Sequence, residues 1–159
     1  LHNFMIGRGV KDSNMVLVAL WMDDFEKAKA FTELPDLKAA MQKGGVIGKP
    51  EISFMDMQML DSGKLETPFR MMVTHQVKDY AAWKASFDSH KQVRIDANMT
   101  DRAIGYEMGN NKKVTVVTAV NDMAKAEAFS TSKELKDRMQ EAGVEGPPTI
   151  FFYRMAKKY

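Results

Sequence analysis

The chain contains no cysteine. A disulfide frame, a thiol nucleophile, a cysteine zinc site and a cysteine-ligated iron–sulfur cluster are therefore all excluded. It also lacks any apolar run near the roughly 18 residues that a membrane span needs, so no membrane partner is expected. Charge of one sign is missing too: 23 Lys and Arg stand against 21 Asp and Glu, for a net charge of +2. Such a balance supplies no basic field for neutralising phosphates, so no nucleic-acid partner is expected. Gly7-Arg8-Gly9 lacks the rest of a dinucleotide fingerprint, no nucleophile motif surrounds any serine, and no haem-attachment motif occurs. The cluster Asp23, Asp24 and Glu26 reads as a helix cap and first turn, not as a metal site. No metal and no cofactor are expected. A cytoplasmic location agrees with the missing cysteine, although the chain opens at Leu1 rather than Met, and we expect it to be an N-terminally shortened form of a longer protein.

What the sequence does contain is a copy of itself. DFEKAKAFTELPDLKAAMQKGGVIGKPEISFMDM from Asp24 returns, without a gap, as DMAKAEAFSTSKELKDRMQEAGVEGPPTIFFYRM from Asp122, which is 98 residues on. Phe31/Phe129, Met41/Met139, Gly45/Gly143, Pro50/Pro148, Ile52/Ile150 and Phe54/Phe152 are among the coincident positions. A period this long exceeds the roughly 20 to 50 residues of solenoid repeats and points to a duplicated domain.

The pattern of each copy is the same. Strands are expected over Asn3–Val10 and Asn14–Met22, and again over Asp101–Met108 and Lys113–Asn121, each pair closed by a polar turn. Asp24 and Asp122 stand as helix N-caps. The helices restart midway, at Pro35 in one copy and through a Thr131/Glu134 capping box in the other, and stop at Gly45 and Gly143. Final strands follow over Glu51–Met59 and Thr149–Met155. Residues 67 to 98 have no counterpart in the first copy: they hold a strand over Phe69–Val77, an Asp79 cap and a helix from Tyr80 to about Asp96. The expected organisation is a first module at 1–60 with the order ββαβ, a linker at 61–67, and a second module at 68–159 with the order βαββαβ, which is ferredoxin-like.

Several strands are apolar on both alternating faces, among them Val16–Met22 and Val114–Val120. Helices cover one face of such a sheet, so a second sheet is expected on the other. Duplication, element order and two-sided strands together resemble the dimeric α+β barrel superfamily, which includes antibiotic-biosynthesis-monooxygenase-like and stress-responsive barrel proteins. His75-Gln76-Val77-Lys78-Asp79-Tyr80-Ala81-Ala82-Trp83-Lys84 and Ala142-Gly143-Val144-Glu145-Gly146-Pro147-Pro148 are similar to stretches of uncharacterised bacterial members. The resemblance implies an α+β fold with antiparallel sheets packed face to face, the first module lacking its first strand and helix. It also implies ligands held between a sheet and its helices.

His75 shares the phase of Phe69, Met71, Val73 and Val77, which turns it toward the helices. Two readings stand: a core-edge histidine bonded to a neighbour, or a pocket acid/base titrating near neutrality. Tyr80, Trp83, Phe87 and His90 recur at one helical face opposite that strand. His75 and Tyr80 are the candidate catalytic residues. With Trp83, Phe87 and His90 they form the candidate ligand pocket. The haem-degrader pattern of a strand Asn with a helix His and a Trp is not matched, since Thr74 and His75 occupy the strand. The function expected is binding of a small hydrophobic ligand, or structural assembly. The alternative is a cofactor-independent monooxygenase-like or isomerase-like enzyme acting on a small aromatic substrate. The partners this admits are that ligand and a second copy of the chain in a homodimer.

Overall fold

The computed structural model describes residues 1–159. In chain order it contains β1 (His2–Gly9), β2 (Val16–Trp21), α1 (Phe25–Thr32), α2 (Pro35–Lys43), β3 (Met55–Leu60), β4 (Phe69–Val77), α3 (Tyr80–Ser89), α4 (Lys91–Asp96), β5 (Met99–Glu107), β6 (Asn110–Val120), α5 (Met123–Ser130), α6 (Lys133–Glu141) and β7 (Val144–Lys158). The fold is α+β: six helices against one antiparallel seven-stranded sheet, curled as a half-barrel, in the order β2-β1-β7-β4-β6-β5-β3. No helix is long and apolar enough to cross a membrane.

Helix starts follow the aspartates. Asp24, Asp79 and Asp122 are extended and accept hydrogen bonds from the N–H groups of Lys27, Ala82 and Lys125 at 2.9, 2.8 and 3.0 Å. Each satisfies one donor that the first helical turn leaves free. The restart of the last helix pair differs from expectation: Ser132, not Thr131, is the cap, its Oγ accepting from Leu135 N–H at 3.1 Å. Gly143 ends that helix at φ +79°, and Gly45 ends its counterpart at +89°, where a Cβ would be strained. The helix expected from Tyr80 to Asp96 is broken at His90, which caps both α3 and α4.

The two sheets expected to pack face to face are instead joined edge to edge. β1 pairs with β7, and β3 pairs with β5, so strands from residues 1–60 flank both sides of strands from residues 68–159. Registers recur with the sequence offset. Met5↔Ala19, Ile6↔Val18 and Gly7↔Leu17 in β1–β2 return as Ala103↔Val117, Ile104↔Val116 and Gly105↔Thr115 in β5–β6. Across the halves, Met55↔Glu107 and Met57↔Gly105 return as Gly9↔Tyr153 and Gly7↔Met155. β3 and β7 nonetheless differ in length. β7 runs as a strand from Val144 because β4 lies beside it, whereas the matching segment becomes a strand only at Met55.

Alternation divides β4 and β6 between two faces. Met71, Val73, His75 and Val77 of β4, with Val114, Val116, Thr118 and Val120 of β6, lie under the helices and are buried. Two clusters result, one around Met71, Val120, Ala126 and Phe152, the other around Val77, Trp83, Ile104 and Val114. Val117, on the opposite face, is only half-buried. That face carries Arg70, whose Nη1 donates to the carbonyls of Thr67 and Phe69 at 2.8 Å. Arg102 there pairs with Asp61 at 3.0 Å, tying the segment between β3 and β4 to the sheet. Tyr153 is buried beside them, and desolvation pushes its phenol up to about 12.

Candidate functional site

The site begins with a fault in the sheet. Along the β4–β7 ladder Thr74 faces Thr149 but Gln76 faces Glu145, so Gly146, Pro147 and Pro148 bulge past His75. Two of those three residues have no N–H to donate, and Gly146 supplies the positive φ, +70°, that the bulge needs. His75 therefore points under α3 with a regular partner on one side only, Val114 of β6.

Its ring lies 5.5 Å from that of Trp83, which stacks on Phe87 at 5.1 Å. Together with Met71, Val73, His90, Val116, Phe129 and Met139 these side chains line a largely apolar cavity of about 80 Å³ between the sheet and α3, α4, α5 and α6. That is room for a few water molecules or one small ring. Both nitrogens of His75 are buried, and neither has a hydrogen-bond partner. Leaving buried polar atoms unpaired costs about 1–3 kcal/mol each. Desolvation lowers the imidazole pKa to about 4, so the ring is neutral at pH 7.

The cavity's outer wall is charged. Arg94 donates through Nε and Nη2 to the two oxygens of Asp101 at 2.7 and 2.8 Å, and through Nη1 to the Phe87 carbonyl at 2.8 Å. Its guanidinium also sits 3.6 Å over the Phe87 ring. Every face of this arginine is in use, so it holds α4 against β5 and fixes Phe87. Arg138 Nη1 lies 3.3 Å from His90 Nε2, with Glu141 Oε2 3.5 Å from the same arginine nitrogen. These groups form the rim.

Of the residues expected at the pocket, His75, Trp83, Phe87 and His90 line the cavity. Tyr80 does not. Its ring meets Tyr106 edge-on at 5.0 Å and Trp83 at 5.7 Å, and burial raises its phenol pKa. His75 and His90 share the cavity, but no third His, Asp or Glu joins them in a metal-binding group. Arg94, Arg138 and the α5–α6 side chains escaped the sequence reading. Phe87 and Arg94 are seven residues apart, and the break at His90 between α3 and α4 is what brings the guanidinium onto the ring, a feature that helical spacing does not signal.

Acid should reveal the burial of His75. Its pKa is about 4 in the folded chain, against about 6.5 when unfolded. Between those values the unfolded chain binds the extra proton, so stability is unaffected above about pH 6.5 and falls as pH drops toward 4. The loss from this residue should reach about 3 kcal/mol. Denaturant melts at pH 7 and pH 4 of the chain and of His75→Phe check it: the variant should lose about 3 kcal/mol less.

No protein-family model matches the chain. No curated protein sequence matches it either. Solved structures do. A proposed monooxygenase of Fusobacterium nucleatum subspecies nucleatum superposes with a TM-score of 0.60 at 13% identity, covering 99% of this chain and 77% of its own. A proposed monooxygenase of Lactobacillus acidophilus gives 0.58 at 8% identity, with 98% and 77% covered. At these identities the likeness is one of fold.

Proposed function

We propose that the chain consists of two ferredoxin-like modules, residues 1–60 and 68–159, and that the second binds a small, mainly apolar molecule carrying one hydrogen-bonding group. The unpartnered His75 ring in an apolar cavity carries this reading. A ring-sized ligand gains burial against Met71, Val116 and Phe87, and a single hydroxyl or carbonyl meets the free imidazole. The neutral ring offers one N–H donor and one acceptor, so it serves either group.

Phenol and toluene, nearly equal in size, test the proposal by titration monitored through backbone amide shifts of α3 and β4. Phenol should bind about tenfold more tightly than toluene, the worth of one hydrogen bond to an otherwise unpaired group. His75→Phe should abolish the preference. Equal binding of the two, or shifts confined to other elements, overturns it.

A second reading, a cofactor-independent monooxygenase or isomerase, is favoured by the free ring nitrogens of His75 in the cavity and by the proposed monooxygenases that share the fold. An unprotonated imidazole accepts a proton from an acidic C–H or O–H of a bound aromatic. The carbanion can then react with dioxygen: an aromatic CH2 becomes C=O with one oxygen atom, and the other leaves as water, so no external reductant is required. Oxygen uptake with a one-ring substrate carrying an activated CH2, such as phenylacetone, lost at least a hundredfold in His75→Phe, separates this reading from binding alone.

A further inference from the structure

Strands β2 and β3 are the two ends of the sheet. Their equivalents 98 residues on, β6 and β7, are not ends: both pair with β4, which lies between them. The ends are also near each other where α1 leaves β2, since Phe25 and Phe54 meet edge-on at 5.2 Å. A seam therefore runs between two strand edges that point toward a common neighbour.

The helix-side face of the seam is bare. Val16, Val18 and Leu20 are 56, 57 and 42% exposed, whereas their equivalents Val114, Val116 and Thr118 are 0, 4 and 1% exposed. The difference has an identified cause. Val114 and Val116 pack in one cluster with Trp83 of α3 and Val77 of β4. Ile52 is likewise 44% exposed, while its equivalent Ile150 packs against the cluster containing Met71 and Val73. What covers one half of the molecule is thus a strand followed by a helix, and the same apolar residues in the other half stand uncovered.

We infer that the seam between β2 and β3 is a docking site for a strand–helix segment patterned like Phe69–Asp96. The strand would run antiparallel to both edges. Register follows from the filled copy: Val73 lies between Val116 and Ile150, so the docking strand places an apolar residue between Val18 and Ile52. One aromatic on its helix takes the place over Val16 and Val18 that Trp83 takes over Val114 and Val116. Unpaired edges drive pairing through their free N–H and C=O groups, and the apolar stripe selects a segment with a matching face.

Residues 67–98 of the chain itself provide the probe. A second copy of this segment is fused ahead of Leu1, where Asn98 then joins Leu1 as it natively joins Met99. Amide hydrogen exchange of Val16–Trp21 should slow at least tenfold, and fluorescence of added anilinonaphthalene sulfonate should fall. A graft carrying Trp83→Asp should restore both. The same segment, added as a free isotope-labelled peptide, covers the case in which the fusion does not fold. Unchanged exchange in β2 with both fusion and peptide, while β4 and β6 remain protected, overturns the inference. So does protection of β2 that rises with protein concentration and without any added segment, because a second copy would then be the occupant.

Discussion

Removing the Arg94 side chain should lower the free energy of unfolding by about 3–5 kcal/mol. Arg94→Ala leaves the Asp101 carboxylate, which the guanidinium holds in two hydrogen bonds, part-buried without a counter-charge. It also frees the Phe87 carbonyl and strips the cation from the face of the Phe87 ring. Lysine is not a rescue, since a single ammonium cannot serve both carboxylate oxygens and the carbonyl in the planar fork that Arg94 uses. The double variant Arg94→Met with Asp101→Leu, which removes both charges, should regain most of the loss. A denaturant melt of the three variants measures this. A loss under about 1 kcal/mol for Arg94→Ala would show that the pair behaves as an exposed surface bridge.

A contrast between equivalent residues should be nearly as large. Val116→Asp buries a carboxylate under α3, with Trp83 and Val77 for neighbours and Arg94 already committed to Asp101, and should cost more than about 3 kcal/mol. The same change at Val18, its equivalent in β2, should lie within about 0.5 kcal/mol, because that side chain is more than half exposed. Sequence context alone would place the two valines alike. Val117→Asp falls between them, since the half-barrel leaves that side of the sheet partly open. Equal costs at Val18 and Val116, read in one urea series, would contradict the exposure difference.

How far the fold could be read in advance depended on range. Local signals held: the aspartate caps, the terminating glycines and the β-hairpins are set by neighbouring residues, and they appear where the sequence puts them. Pairing between distant strands was not legible. The missing counterpart of β4 in the first copy is visible in the sequence, but nothing near Met55 or Val144 shows how far each strand then extends, so the two segments look like strands of similar length. The site was half legible for the same reason. Periodicity placed Trp83, Phe87 and His90 toward His75, but it also placed Tyr80 there, since a helical wheel ignores the turn by which a first-turn residue leans toward Tyr106. Arg94 and Arg138 stayed hidden because a charged side chain normally marks a wetted face, and only the approach of β5 and of His90 makes these two structural.

The pairing of β1 with β7 also constrains how the chain is made. The first strand, His2–Gly9, takes its partner from the last, where Met5 lies beside Lys158. On a ribosome adding about 5–20 residues per second, the β1 edge that β7 will cover waits on the order of ten seconds for residues not yet synthesised. The β1–β2 hairpin forms early and must stay out of other pairings throughout that interval, and its Val16, Val18 and Leu20 side chains are apolar. Chaperone dependence during synthesis should therefore concentrate on the β1–β2 hairpin, and slow folding should follow from a ladder that joins strands as far apart in sequence as Met5 and Lys158.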